Sequence, residues 1–308
     1  LPGHLLLADI EVATGYTDLA IMRLENLARG RANNEMVGLR LVSLYKDMGR
    51  LDDARRIAIQ RMIKFPDSPG AHVDLISLLF DSKDIAAFES ESAGYIKRHS
   101  SDARAMVLLA SAAMRLQQPK LARLVRDQAP KNDEGHPAPV FQMIVMHAEC
   151  LAGEYQTALA STEELNLYQN LSPSDQAGAT IIRVWANYGL GKITDAETEL
   201  NQFLTLNTSV MNLHAPLLAK QLDLLGKKTE ARRVLLALAE RNPDNPIHLT
   251  KLVSYDLESQ TWDEVKSRLP GLLALDPPPI ELLTQIWHLQ DVLQLSADMR
   301  WRLSNLVQ

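Results

Sequence analysis

A six-residue phrase, Gly191-Lys192-Ile193-Thr194-Asp195-Ala196, recurs along this 308-residue chain. Versions of it run from Gly15 to Ala20, Gly49 to Ala54, Gly153 to Ala158 and Gly226 to Ala231, with weaker ones from Gln117 to Ala122 and Gln260 to Val265. The closing residue falls at 20, 54, 88, 122, 158, 196, 231 and 265, in steps of 34, 34, 34, 36, 38, 35 and 34. A fixed period between about 20 and 50 residues marks a solenoid, in which one supersecondary unit cannot bury its apolar face alone and its neighbours cover it. Length therefore does not count domains here, because an array is one elongated body.

Within each period the apolar residues follow helical spacing. Met36, Leu39, Leu41, Val42, Leu44 and Tyr45 form one helix, Gly49 breaks it, and Ala54, Ile57, Ala58 and Met62 stripe a second that ends at Phe65-Pro66. Proline cannot continue a helix interior and restrains the residue before it, so Pro66 marks a unit boundary. In the first unit, Gly15 suits the left-handed helix end, and Thr17 and Asp18 open the next helix. Leu5, Leu6, Leu7, Ala8, Ile10, Val12 and Ala13 are too continuous for a helix with one wet face. That helix expects cover on two sides, from further repeats upstream or from self-association. In the third unit Lys83 replaces the turn glycine and Phe88 falls on the small position. Either that hairpin is splayed, or the register slips and Ala87 takes the contact. Pro119 sits where a first-turn proline is tolerated. Two longer connections, residues 129–139 and Asn166 to Asp175, are expected as surface loops.

This spacing resembles the tetratricopeptide repeat, a helix-turn-helix unit of about 34 residues with Ala and Pro at fixed places in its second half. The matching residues are Ala20, Ala54, Ala122, Ala158, Ala196 and Ala231, with Pro66, Pro243 and Pro277 as terminal prolines. The family's large aromatic near the start of the first helix is missing, its places holding His72, Met106 and Leu249. The resemblance implies an all-α, right-handed α-α superhelix, a tetratricopeptide-like solenoid over residues 1–308. Its units fall near 1–34, 35–68, 69–102, 103–138, 139–176, 177–211, 212–245 and 246–279, followed by a terminal helix pair at 280–308. Eight units and one pair amount to about 18 helices with no sheet.

The remaining residues narrow the function by exclusion. A net charge of −6 argues against a binder of phosphate backbones, which wants a basic stripe. The eight histidines are scattered without metal-ligand spacing, the glycines are mostly single turn residues, and paired carboxylates such as Asp52-Asp53 sit at helix starts. No catalytic residue, cofactor site or metal site is read from the chain. Cys150, the one cysteine, is expected as a small buried hydrophobe. It leaves the compartment open between cytoplasm and bacterial periplasm. No apolar run reaches the roughly 18 residues of a membrane span. Leu1-Pro2-Gly3 is neither a start methionine nor a signal peptide, as expected of a processed product or an excised segment.

By resemblance, the first helices line a concave groove through the second, fifth, ninth, twelfth and thirteenth places of each unit. The ninth place reads Asp9, Ser43, Ser77, Ser111, His147, Trp185, Lys220 and Ser254. Its centre adds an apolar patch of Met143, His147, Ile181, Trp185 and Tyr188, expected to be the partner-binding site, with Trp185 partly exposed in the free protein. The stripe of Ala186, Leu190, Ala196 and Leu200 is expected to be buried instead. The clamp of chaperone-adaptor repeats, Lys and Asn at the fifth and ninth places, is excluded by pairs such as Leu39/Ser43 and Met143/His147. The expected function is a non-catalytic scaffold that binds a protein or peptide segment and no nucleic acid. Long divergent arrays of this style resemble those of bacterial envelope and exopolysaccharide-export machinery. A sensor for a small signalling peptide, or the accessory arm of an enzyme, are the alternatives.

Overall fold

The turn phrase is a helix end joined directly to a helix start. In this computed structural model, which describes residues 2–29, 34–133, 135–165, 168, 171–242 and 245–307, Gly49 has φ 71° and Gly191 has φ 73°. These are left-handed values that glycine adopts without a Cβ clash. The next N–H then reaches five residues back, Arg50 N to Tyr45 O at 2.8 Å and Lys192 N to Asn187 O at 2.9 Å. This Schellman closure satisfies carbonyls that the helix end would leave unpaired. Two residues on, a new helix begins, and the N–H of Ala54 or Ala196 makes one of its first bonds, to Arg50 O or Lys192 O, each at 3.0 Å. Leu1, Asn166 and Pro243, named above, lie outside the described residues.

The phrase survives where glycine is missing. Lys83, Gln117 and Gln260 have φ 60°, 54° and 54°, and the following N–H groups close the same five-residue bond. That settles the third unit. Phe88 is buried with its ring 5.3 Å from Phe80, its N–H bonds to Asp84 O, and Ala87 is only half-buried. The register does not slip. Gln294 repeats the turn again with φ 48°, and Leu295 N bonds to Gln290 O at 3.1 Å. It stands 34 residues after Gln260, so the terminal pair is a ninth hairpin in phase with the rest.

Among the described residues there are 18 α-helices and no strand, as an all-α repeat requires. The helices divide between two compact bodies, residues 1–152 and 153–308. The first body holds α1 (Pro2–Ala13), α2 (Thr17–Arg29), α3 (Glu35–Asp47), α4 (Leu51–Lys64), α5 (Pro69–Asp81), α6 (Ile85–His99), α7 (Ala103–Arg115), α8 (Pro119–Gln128) and α9 (Pro139–Leu151). The second holds α10 (Tyr155–Leu165), α11 (Pro173–Gly189), α12 (Ile193–Leu204), α13 (Thr208–Leu224), α14 (Lys228–Arg241), α15 (Pro246–Glu258), α16 (Trp262–Leu273), α17 (Ile280–His288) and α18 (Ala297–Val307). In the first body α5 packs on α6 and α7, and α7 on α8 and α9; in the second α11 is packed by α10, α12 and α13. No helix among the described residues is long and apolar enough to cross a membrane.

Each body is cored through the same columns. Ala20, Ala54, Phe88 and Ala122 are buried in the first, and Ala158, Ala196, Ala231 and Val265 in the second. These are the seams of the hairpins, and where alanine holds the place a longer side chain would force the helices apart, whereas Phe88 packs on Phe80. Ala54→Leu and Ala196→Leu are each expected to lower stability by about 1–3 kcal/mol through overpacking, read as a lower melting midpoint. Two expectations need correction. Residues 173–175 are not loop: Ser172 and Asp175 form a capping box and α11 starts at Pro173. Leu190 lies past the end of α11 and is exposed, not part of the buried stripe. On α1, Ala8 is buried but Leu6, Leu7 and Ile10 are exposed.

Candidate functional site

Counting from each turn residue gives a register common to all hairpins, in which the ninth place falls six residues before the turn. The structure opens a cavity on that face in each body. Between α1 and α3 a cavity of about 160 Å³ is walled by Ala8, Asp9 and Val12 on one helix and Arg40, Ser43, Leu44 and Asp47 on the other. Between α13 and α15 one of about 280 Å³ is walled by Ala219, Lys220 and Asp223, then Lys251, Ser254, Tyr255 and Glu258. The positions are the same in both: seven, six and three residues before the first turn, and nine, six, five and two before the second. Leu24 and Leu235, each four residues past a buried seam alanine, also line them, and Pro216 adds to the α13–α15 cavity alone.

Their chemistry differs. Arg40 Nη2 bonds Asp9 Oδ2 at 3.1 Å on the α1–α3 face. On the α13–α15 face the Tyr255 phenol is pushed up to about 12 by burial and then by the carboxylates of Asp223 and Glu258. It stays protonated at neutral pH and can donate. Lys228 Nζ stands 3.2 Å from Glu258 Oε2 at its edge. The face therefore offers both signs of charge and a phenol, without a dominant field.

The five patch residues divide between the bodies. Met143 and His147 lie half-buried on α9, with His147 Nδ1 at 2.9 Å from the Met143 carbonyl oxygen. Ile181, Trp185 and Tyr188 share one face of α11, and all three are buried, Trp185 being 3% exposed. The expected partial exposure of Trp185 is thus not found. The reason is local crowding: α11 is flanked by three helices of its own body. The Tyr188 hydroxyl donates to Glu197 on α12, whose other oxygen binds Arg233 at 2.9 Å, and the Lys227 ammonium sits 5.4 Å from the Tyr188 ring. Burial, followed by this bond to Glu197, raises the Tyr188 phenol. Reading the patch by size and aromaticity missed Lys251 and Tyr255, which sit nine and five residues before their turn and complete the α13–α15 cavity. Aligning the turns places them in the columns of Arg40 and Leu44, which line the α1–α3 cavity.

Among the described residues no cluster of three or more His, Cys, Asp or Glu could hold a metal ion. Cys150 is buried, which raises its thiol, and the neighbouring Glu149 adds to that. Three histidines are held low by burial: His99, with His72 and Arg98 adding to the effect; His214, opposed by Asp175; and His248, with Lys251 adding. Each is easier to protonate unfolded than folded. Their contribution to stability is complete above the ordinary value of 6.5 and is lost as the pH falls through it. The melting temperature is expected to drop between pH 7.5 and 5.5, a range set by the ordinary histidine value of about 6.5. His99→Gln should flatten that drop, and an unchanged slope would show that His99 is not part of it.

No family model matches the chain, and no curated protein matches it. Among solved structures it is similar to a tetratricopeptide repeat protein from Parabacteroides merdae, 12% identical over 83% of this chain and 98% of that one, with a TM-score of 0.42. PilW, a type IV pilus biogenesis factor, is 16% identical over 79% and 93% with a TM-score of 0.35. The human IFIT1 dimer with m7Gppp-AAAA is 15% identical over 96% and 74% with a TM-score of 0.40. The class rests on this chain's own geometry. Helical hairpins recurring near every 34 residues, each closed by the same left-handed turn, make it a divergent tetratricopeptide-like array.

Proposed function

We propose that the chain is a non-catalytic scaffold that holds a protein or peptide segment along the face six residues before each turn. The observation that carries this reading is the pair of position-matched cavities, α1–α3 and α13–α15, in two different bodies. A face repeated in register suits an extended peptide, whose backbone presents donors and acceptors at a regular interval. The mixed charges of Asp9, Arg40, Lys220, Asp223, Lys251 and Glu258, together with a net charge of −6, favour a protein partner over a nucleic acid. Met143 and His147 contribute through their accessible parts, and Ile181, Trp185 and Tyr188 support the face from beneath. The style of repeat favours service in a bacterial envelope or export assembly. The exposed Leu6, Leu7 and Ile10 of α1 supply a second contact face, proposed for self-association.

The test places a photo-crosslinking residue at Ser254, on the proposed face, or at the exposed Ser267 on α16. Irradiation in an extract of the source cells is expected to give a discrete adduct from position 254 and none from 267. Lys220→Glu combined with Lys251→Glu should remove the adduct while leaving the melting temperature unchanged. Equal adducts from both positions, or none from 254, would sink the proposal. Sedimentation of the intact chain over a hundredfold concentration range tests the α1 contact, and a monomer throughout counts against it.

A further inference from the structure

One column of the array departs from the rest. Eight residues before the turn the chain places Leu41, Leu75, Leu109 and Val145 in the first body and Leu218, Leu252 and Ile286 in the second, all buried. Leu7 holds the same place on α1. On α11 the residue there is Arg183. A guanidinium in a leucine column loses hydration and returns no apolar packing, so the array is less stable for it unless the charge serves something else.

Around Arg183 the second body opens a cleft of about 510 Å³, within the range of roughly 300–1,000 Å³ usual for small-molecule sites. Leu165 and Phe203 form its buried floor, Leu206 and Val210 stand on one side, and Gln176 and Gln202 lie on its exposed rim. Among the described residues, no acidic one lines it. The matching place on α3–α4 is only about 80 Å³. Leu41 occupies the column there, and the Arg61 side chain runs across, fixed by Glu35 and Asp74. The opening on α11 is therefore not a gap that every hairpin of this fold leaves. It also lies off the face proposed for peptide binding, whose shared positions are seven, six and three residues before one turn and nine, six, five and two before the next.

Arg183 is held in place before any ligand arrives. Its Nε lies 2.9 Å from Glu199 Oε1, and Nη2 donates to Thr180 Oγ1 at 2.9 Å. Nη1 has no protein partner among the described residues. Glu199 offsets much of the charge, so a bound anion needs neutral donors beside the guanidinium, and the amides of Gln176 and Gln202 are at hand in the same lining. We propose that this cleft binds a small amphiphilic acid, its carboxylate on Arg183 and its apolar body against Leu165, Phe203, Leu206 and Val210. A medium-chain fatty acid and the C-terminus of an apolar peptide share that chemistry.

Calorimetric titration of the full chain separates the outcomes. The probes are decanoate against decanol, and acetyl-Ala-Leu-Leu carrying a free carboxylate against its C-terminal amide. At least one acid is expected to bind, and its neutral counterpart at least about tenfold more weakly, the effect of losing a hydrogen bond to a charged group. Which acid binds identifies the source. Arg183→Leu restores the aliphatic residue of the column. The folded variant is expected to weaken acid binding by about tenfold or more. Binding of neither acid overturns the proposal, as does equal binding of an acid and its neutral counterpart, or a folded R183L that binds as before. Should R183L fail to fold, Val210→Trp fills the side of the cleft, and undiminished acid binding by that variant overturns it equally.

Discussion

Trp185→Ala is expected to lower the free energy of unfolding by about 3–5 kcal/mol, the cost of emptying a core aromatic site. The side chain is 3% exposed on a helix packed by α10, α12 and α13, so its removal leaves a cavity that these neighbours can collapse into only partly. The same residue read as a groove anchor would cost stability only about 0.5 kcal/mol, because an exposed ring has little packing to lose. The two readings differ severalfold in one denaturant titration. A loss below about 1 kcal/mol would return Trp185 to the surface and restore it as a direct contact for a partner.

Asp256→Ala is expected to cost about 3–5 kcal/mol, for an electrostatic reason. The Asp256 side chain is fully buried and faces two guanidinium groups, Arg232 Nε at 2.5 Å and Arg268 Nη1 at 2.6 Å, with the Thr261 hydroxyl donating at 3.2 Å. Removing the carboxylate leaves two partly buried cations facing each other, with only the more exposed Glu264 near them. Asp256→Asn keeps the shape and loses the charge, and should fall between the alanine variant and the parent. The control is Glu258→Ala, which breaks the solvent-exposed pair with Lys228 and should cost less than about 1 kcal/mol. Comparable losses at 256 and 258 would mean that burial does not set the strength of these pairs.

Much of the architecture was legible because the turn is a local object. A left-handed residue, a bond reaching five residues back and a new helix two residues on depend only on a short stretch of chain. The phrase at Gly191 could therefore be recognised at Gly15, Gly49, Gly153 and Gly226, and the eight closing positions it defined are all buried. Residue identity misled where backbone conformation decided. Gln294 carries no glycine and no following alanine, so the ninth hairpin passed as a bare terminal pair, although its backbone has the same sign of φ.

The site was harder to read, since burial belongs to neighbours distant in sequence. The ninth place lines a cavity in each body, but the same column holds exposed Lys220 on α13 and buried Trp185 on α11. Nothing within the local stretch distinguishes them; the packing around each helix does. Arg183 shows the reverse case. Its departure from a column of Leu, Val and Ile is written in the sequence, yet only the packed body shows that a cleft of about 510 Å³ opens beside it. By itself the sequence determined the period and the helical hairpins, because these follow from hydrogen bonds and side-chain spacing along one segment. The tertiary structure alone decided which residues of each first helix remain exposed, because exposure is set by what other segments of the chain bring against them.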